Sequence, residues 1–346
     1  MKVLVIALIS FLAISSGFML FNNLKKTRKV PVRIVQKYNQ WKLKFGKLYA
    51  TPSESDFRLR VFEERSNWLD QSNTEYNEYV ALNNLPPLSG PMFAFQSHSD
   101  LTTEEFKKSR TGLKLPAQIE VQDSVDLSSV QVPAKTLGQA AYQIRVRDQG
   151  ECGSCYAFSA IATLEKHYYD LNKAQLDLST QEIVDCSKED NGCDGGWPAV
   201  TFNYIKSSGI SSASQYPYTA SDNQCRSSST KRIYFGSSIA SKSVTFNMAN
   251  AQKYCNLGII SGITVYSSGK FSHLSSTDDI YDASASGECN QSVDHAVSMT
   301  AAGSNYVVIM NSWNTSWGVG GFKKVKPCSN NLWGTSNVIM HTYAQY

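Results

Sequence analysis

The stretch Gln149-Gly150-Glu151-Cys152-Gly153-Ser154-Cys155-Tyr156-Ala157-Phe158-Ser159 constrains this chain more than any other. After Cys155 the apolar residues Phe158, Ile161, Leu164 and Tyr168 recur at helical spacing. The pattern predicts a helix with Cys155 in its first turn. Unpaired N–H groups and the positive dipole end there favour a thiolate over a thiol. Gly153 and Ser154 are small enough to let backbone approach a bound peptide. Gln149 can offer a side-chain N–H beside the backbone N–H of Cys155, and two such donors make an oxyanion hole. The competing reading is a Cys-x-x-Cys zinc or redox pair. Zinc sites usually need a second ligand pair at close spacing, and Cys186 and Cys193 are seven residues apart.

A cysteine nucleophile needs a base. The chain has five histidines. His98 lies far upstream, and His341 is near the chain end. His167 is roughly three turns along the helix that Cys155 begins, out of reach of the thiol. His273 falls in a polar stretch. His295 remains, at the start of the alternating run Val293-Asp294-His295-Ala296-Val297. Asn311, in Val308-Ile309-Met310-Asn311-Ser312-Trp313, can accept from the second imidazole nitrogen without adding charge. Asp294 points to the opposite strand face from His295.

Gln-Gly-x-Cys-Gly-Ser-Cys-x-Ala-Phe-Ser resembles the nucleophile segment of the papain-like cysteine proteases, the papain and cathepsin L group. The segments around His295 and Asn311 resemble that family's histidine and asparagine segments. The resemblance implies an α+β, two-part fold: a helical half and a β-barrel-like half with the cleft between, preceded by a helical propeptide domain. It implies catalytic roles for Cys155, His295, Asn311 and Gln149. Gly195 and Gly196, with Gly153 nearby, would bind extended substrate backbone. Trp197, Pro198, Ala296, Thr264 and Val338 would line the main apolar pocket. Trp313 would shield the His–Asn bond from water. The implied disulfides are Cys152–Cys193, Cys186–Cys225 and Cys289–Cys328, with Cys155 kept free and Cys255 a buried thiol. Tyr156 stands where the family has tryptophan, and Asn314 where it has glycine.

Upstream, Glu54, Arg58, Phe62, Arg65, Leu69 and Asn73 resemble the interrupted Glu-Arg-Phe-Asn-Ile-Asn helix motif of cathepsin L-like propeptides. Arg65 takes the asparagine position. Asp100-Leu101-Thr102-Thr103-Glu104-Glu105-Phe106 resembles the end of the second propeptide motif, with Thr102 as helix cap. There Ala94, Gln96 and His98 replace the usual glycine, asparagine and phenylalanine. Ser124-Val125-Asp126 resembles the start of mature enzymes, and residues 130–141 read as an insertion.

The expected organisation is a signal peptide at 1–17, an inhibitory propeptide at 18–122 with its core at about 35–106, and a protease domain at 123–346. Lys2 followed by apolar residues 3–13 and Ser15-Ser16-Gly17 supports the first. Apolar residues resume at 18–21, so an uncleaved anchor is the alternative. Eight cysteines suggest an oxidising compartment, in the secretory pathway, lysosomal or extracellular. Net charge is +4, but nine of the Lys and Arg residues lie between positions 25 and 47, and the part from Ser124 is near neutral. That distribution argues against a nucleic-acid partner. No cofactor, no metal and no membrane partner of the mature form are expected. The expected partners are peptide substrates and the chain's own propeptide, with a monomeric enzyme. Asn290 and Asn314 fit the glycosylation pattern, Asn314 as a chance match. A non-catalytic binding protein on the same fold and an acyl-transferase using Cys155 are the alternatives to a cysteine endopeptidase.

Overall fold

The computed structural model describes residues 28–118, 121–122, 142–235, 240–256, 261–289, 291–328 and 338–343. The expected signal segment at 1–17, Ser124, the insertion at 130–141 and Asn290 lie outside the described residues. The chain divides into two units, the first ending at Asn67 and the second beginning at Trp68.

The first unit is a helical hairpin. Helix α1 spans Val32–Phe45 and ends at Gly46, whose φ of 61° is the left-handed conformation glycine adopts without strain. Helix α2 spans Pro52–Leu82 and continues into the second unit. Tyr38, Trp41 and Phe62 are buried. Their rings pack at 5.2–5.8 Å and form the hairpin's core. Glu54 and Arg58 pair at 3.8 Å across one turn. Exposed pairs of that kind contribute only tenths of a kcal/mol.

The second unit has helices early and strands late. Helix α3 spans Thr103–Arg110, and Thr102 and Glu105 close a reciprocal capping box at its start. Helix α4 spans Cys155–Asn172, α5 Thr180–Cys186 and α6 Pro198–Ser208. Tyr156, Ile161, Leu164, Ile183, Phe202 and Ile205 form the helical core. The strands are β1 Val121–Gln122, β2 Ala240–Thr245, β3 Ser261–Val265, β4 Tyr281–Asp282, β5 His295–Ala302, β6 Val307–Met310, β7 Phe322–Lys326 and β8 Val338–Tyr343. Helix α7, Met248–Asn256, lies between β2 and β3 in the chain. The sheet order is β1-β2-β8-β3-β5-β6-β7-β4. The β1–β2 and β4–β7 pairs are parallel, and the others are antiparallel. The Ser159 hydroxyl donates to the Val297 carbonyl at 3.0 Å, which ties helix α4 to strand β5. That tie brings the two halves together where Cys155 and His295 begin their elements.

Residues 68–118 pack on the sheet half. The Asn73 amide donates to the Phe93 carbonyl and accepts from the Phe93 N–H, both at 2.9 Å. Phe93 bridges to Leu274, and the Ala94 N–H donates to the His273 carbonyl at 2.8 Å. Leu69, Tyr76, Met92, Phe93, Leu101 and Phe106 belong to the same buried cluster as the strands.

Three disulfides are formed: Cys152–Cys193, Cys186–Cys225 and Cys289–Cys328. Cys155 is unpaired and buried. Cys255 is unpaired but only half-buried, a correction to the expectation of a buried thiol. It lies at the end of α7, where one side of the short helix faces outward.

Candidate active site

The site is assembled from four chain segments. Helix α4 starts at Cys155, with Ser154 as its cap residue. Strand β5 starts at His295. Asn311 follows strand β6 directly. Gln149 is pinned to the next residues: its N–H donates to the Ser312 carbonyl at 2.8 Å, and Asp148 bridges to Trp313.

The protonation pattern follows from the acceptors. Asn311 Oδ1 takes the Ser312 backbone N–H at 2.8 Å, which fixes the amide orientation. The same oxygen is 2.8 Å from His295 Nε2, so Nε2 carries the hydrogen. Nδ1 is then the bare nitrogen, and it has no hydrogen-bond partner. Trp313 stacks on the imidazole at 4.6 Å between centroids. The Ser312 hydroxyl donates to Gln149 Oε1 at 2.7 Å. That bond turns Gln149 Nε2 toward the Cys152 carbonyl, 2.9 Å away, and the Arg110 carbonyl, 3.1 Å away. The Asp294 carboxylate faces away from the imidazole and accepts from Ser267 and Ser268, backbone and hydroxyl alike.

The backbone N–H groups of Ala296 and Tyr156 face the Cys155 sulfur. They favour the thiolate, as the helix start does. Burial overrides both here. Cys155 and His295 have no exposed surface. Burial pushes the thiol up to about 12. The imidazole is brought down to about 4, and the Asn311 bond only partly offsets this. Burial thus works against the thiolate that the helix start favours, and toward the neutral form of both groups.

Residues 110–114 are what bury it. The Gly112 and Leu113 N–H groups both donate to the Asp294 carbonyl at 3.1 Å. The Gly196 N–H donates to the Gly112 carbonyl at 2.8 Å, and the Lys114 N–H to the Gly196 carbonyl at 2.9 Å. Leu113 pairs with Gly196 in parallel sense. Its side chain packs in a cluster with Cys155, Trp197, Val293 and Ala296, flanked by Ala199 and Val200. Gly153 is in such close contact that a Cβ on Gly112 would lie 1.9 Å from its carbonyl oxygen.

Trp197, Ala296, Gly153 and Gly196 thus meet at one cleft, with Gly195 against the Gly112 carbonyl. Pro198 opens helix α6 just behind Trp197. Thr264 is buried and pairs with Ala296 across strands β3 and β5. Val338 is the first residue of β8, paired with Thr245, and its side chain lies outside the description. Sequence reasoning missed Val293, Ser312, Leu113 and Arg110. Val293 and Ser312 adjoin residues that were picked out. The two others act through backbone groups or by filling a pocket, and neither has a motif. Among the described residues no group of His, Cys, Asp and Glu could hold a metal ion, and no helix is long and apolar enough to cross a membrane.

A cysteine at a helix start, packed against the residues that flank a histidine held by an asparagine, is the arrangement of a thiol hydrolase. Residues 134–343 match the family described as "Papain family cysteine protease". The chain belongs to that family and is a cysteine protease. It is 29% identical to chymopapain of Carica papaya over 329 residues, covering 90% of this chain and 86% of that protein. It is 32% identical to digestive cysteine proteinase 2 of Homarus americanus over 321 residues, covering 87% of this chain and 92% of that protein. The structure of digestive procathepsin L2 from Tenebrio molitor shares its fold, with a TM-score of 0.70 at 22% identity over 90% of this chain and 99% of that one.

Proposed function

We propose that the chain is the inhibited precursor of a cysteine endopeptidase that cuts peptide bonds through a Cys155–His295–Asn311 mechanism. The observation that carries this reading is the His295 ring: Nε2 is committed to Asn311, and Nδ1 is left without a partner, on the strand start whose next residue, Ala296, packs with Cys155. Once the cleft is open to water and substrate, His295 Nδ1 takes the Cys155 proton. The thiolate attacks the peptide carbonyl carbon. Gln149 Nε2 and the Cys155 N–H receive the oxyanion. The tetrahedral adduct collapses to a thioester as the imidazolium gives its proton to the leaving amine. Water, deprotonated by His295, then releases the acid and restores the thiol.

The assigned parts are a signal peptide at 1–17, an inhibitory propeptide at 18–122 and the protease domain at 123–346. The segment 110–114 supports the second assignment, because it fills the peptide cleft and takes the Gln149 amide. Gly153, Gly195 and Gly196 hold substrate backbone. Trp197, Pro198, Thr264, Ala296 and Val338 shape the pocket for a bulky apolar side chain, a role that Leu113 fills in the precursor. Three disulfides favour the secretory pathway, with a lysosomal or extracellular destination, and the mature enzyme acts as a monomer.

The test is Cys155→Ala in the full-length chain. After acid treatment the native chain should hydrolyse a peptide reporter and take up a thiol-directed label at Cys155, and the variant should do neither. Retained turnover in the variant would overturn the assignment.

A further inference from the structure

We propose that Asp190 is a positioning residue for bound peptide: it fixes and polarises the Gly196–Trp197 peptide unit, whose carbonyl takes a backbone N–H from the chain in the cleft. This rests on reading Gly196 as a backbone clamp for substrate. The two ends of one trans peptide point in opposite directions. Its carbonyl end, Gly196, accepts the Lys114 N–H at 2.9 Å on the cleft side. Its N–H end, Trp197, donates to Asp190 Oδ1 at 3.0 Å on the buried side. A charge-assisted bond to the N–H draws electron density toward the carbonyl oxygen and makes it a better acceptor.

The site is built closely around that carboxylate. Asp190 Oδ2 accepts the Ser187 hydroxyl at 2.8 Å and the Thr201 hydroxyl at 3.4 Å. Pro198 begins helix α6 and has no N–H, so Trp197 presents the N–H there. A Cβ on Gly196 would lie 2.2 Å from Asp190 Oδ1 and 2.7 Å from the Tyr156 ring. The clamp therefore rests directly on the carboxylate and on Tyr156, whose hydroxyl donates to the Gly192 carbonyl at 3.0 Å. All the bonds Asp190 receives come from neutral donors. Burial raises its carboxyl to about 6, with these three donors pulling the other way and Glu189, beside it on the same loop, adding to the rise. Tyr156 faces it from α4, and that phenol also feels the Asp222 charge. Thr201 from α6 brings no charge. The clamp is strongest when Asp190 is ionised and weakens as it takes up a proton.

The test uses the full-length Cys155→Ala chain, which cannot cut itself, and reads hydrogen exchange at the Lys114 amide. At about pH 7, Asp190→Asn should speed that exchange about fivefold, the equivalent of one ordinary hydrogen bond, and Asp190→Ala should speed it more. Amides of Ile161 and Leu164 in helix α4 should be unaffected. At about pH 5 the ratio of Asp190→Asn to Asp190 should approach one, because the native carboxyl is then protonated as well. Unchanged Lys114 exchange at neutral pH, or an equal acceleration in helix α4, would overturn the proposal. This measurement needs no hydrolysis, so it stands apart from the peptidase reading. In the acid-treated active chain, Asp190→Asn should raise KM for a peptide reporter by a similar factor and leave kcat within about twofold. A fall in kcat at constant KM would contradict a positioning role.

Discussion

The Arg110 carbonyl oxygen lies 3.1 Å from Gln149 Nε2, in a bond the Trp313 indole N–H shares at 3.2 Å. The amide assigned to the oxyanion is therefore occupied by the chain's own backbone. Arg110 is anchored in turn by Asp148, 3.3 Å away. On the proposed reading, inhibition is a matter of filled hydrogen-bond positions, so it should respond to changes in the covering segment as well as in the site.

Replacing His295 by Ala should cost about a thousandfold in kcat, because it removes the group that moves protons. Asn311→Ala should cost about tenfold to a hundredfold, because the amide only orients the ring. Steady-state kinetics on both acid-treated variants checks this. Equal losses in folded proteins would give Asn311 another role.

Acid should loosen the cover. In the covered state His295 is held at about 4 by burial. An uncovered histidine sits near its ordinary value of about 6.5. Between these values the covered state binds fewer protons. Its stability is therefore full above about pH 6.5 and falls, by up to about 3 kcal/mol, as pH drops toward about 4. The Asp294 carboxyl, raised by burial, works in the opposite sense at the lower end of that range. Hydrogen exchange at Leu113, whose N–H bonds the Asp294 carbonyl and not the Gly196 carbonyl that Asp190 is proposed to tune, should speed up from about pH 6.5 downward in the Cys155→Ala chain, after correction for intrinsic rates. No change above about pH 4 would contradict the linkage.

Gly112→Ala should activate the uncut chain. The new methyl would meet the Gly153 carbonyl carbon at 2.4 Å and its oxygen at 1.9 Å, and both are backbone atoms that cannot rotate away. The segment must lift, opening the cleft. The readout is reporter turnover at neutral pH by protein shown to be intact. A variant as inactive as the native precursor would mean that the block lies elsewhere.

Asn73→Ala should weaken the same cover from a distance. It removes both bonds to the Phe93 backbone and leaves its N–H and its carbonyl without their partner. The expected loss is about 1–3 kcal/mol. An added protease should cut the loop at residues 85–91 sooner in this variant than in the native chain. Unchanged cutting would show that the aromatic contacts alone hold Phe93.

Much of this was legible in the sequence where side chains carry it. The spacing of Phe158, Ile161 and Leu164 predicts helix α4, and those residues are buried in the structure. His295 is reached by elimination among five histidines. Its partner follows from the neutral amide of Asn311, placed just after the apolar run Val308-Ile309-Met310. The strands β1 and β2 were missed, because Ala-Ser-Lys-Ser-Val-Thr alternates weakly and pairs with the distant β8. The role of Arg110 rests on a carbonyl oxygen, which every residue has. Asp190 was passed over because a lone acid in a loop has no pattern; only the fold puts it behind Gly196.

The neutral, fully enclosed Cys155 has one more consequence. Thiolates, not thiols, are the species that attack disulfides and react with oxidants. The compartment that closes Cys152–Cys193, Cys186–Cys225 and Cys289–Cys328 is hostile to a free nucleophilic sulfur. Leu113 and its neighbours keep that sulfur protonated and out of contact with solvent. The cover therefore acts as a preservative as well as a block. A buried, protonated sulfur reacts slowly with oxidants and disulfides, so the same contacts that fill the cleft also protect Cys155 while the three disulfides close.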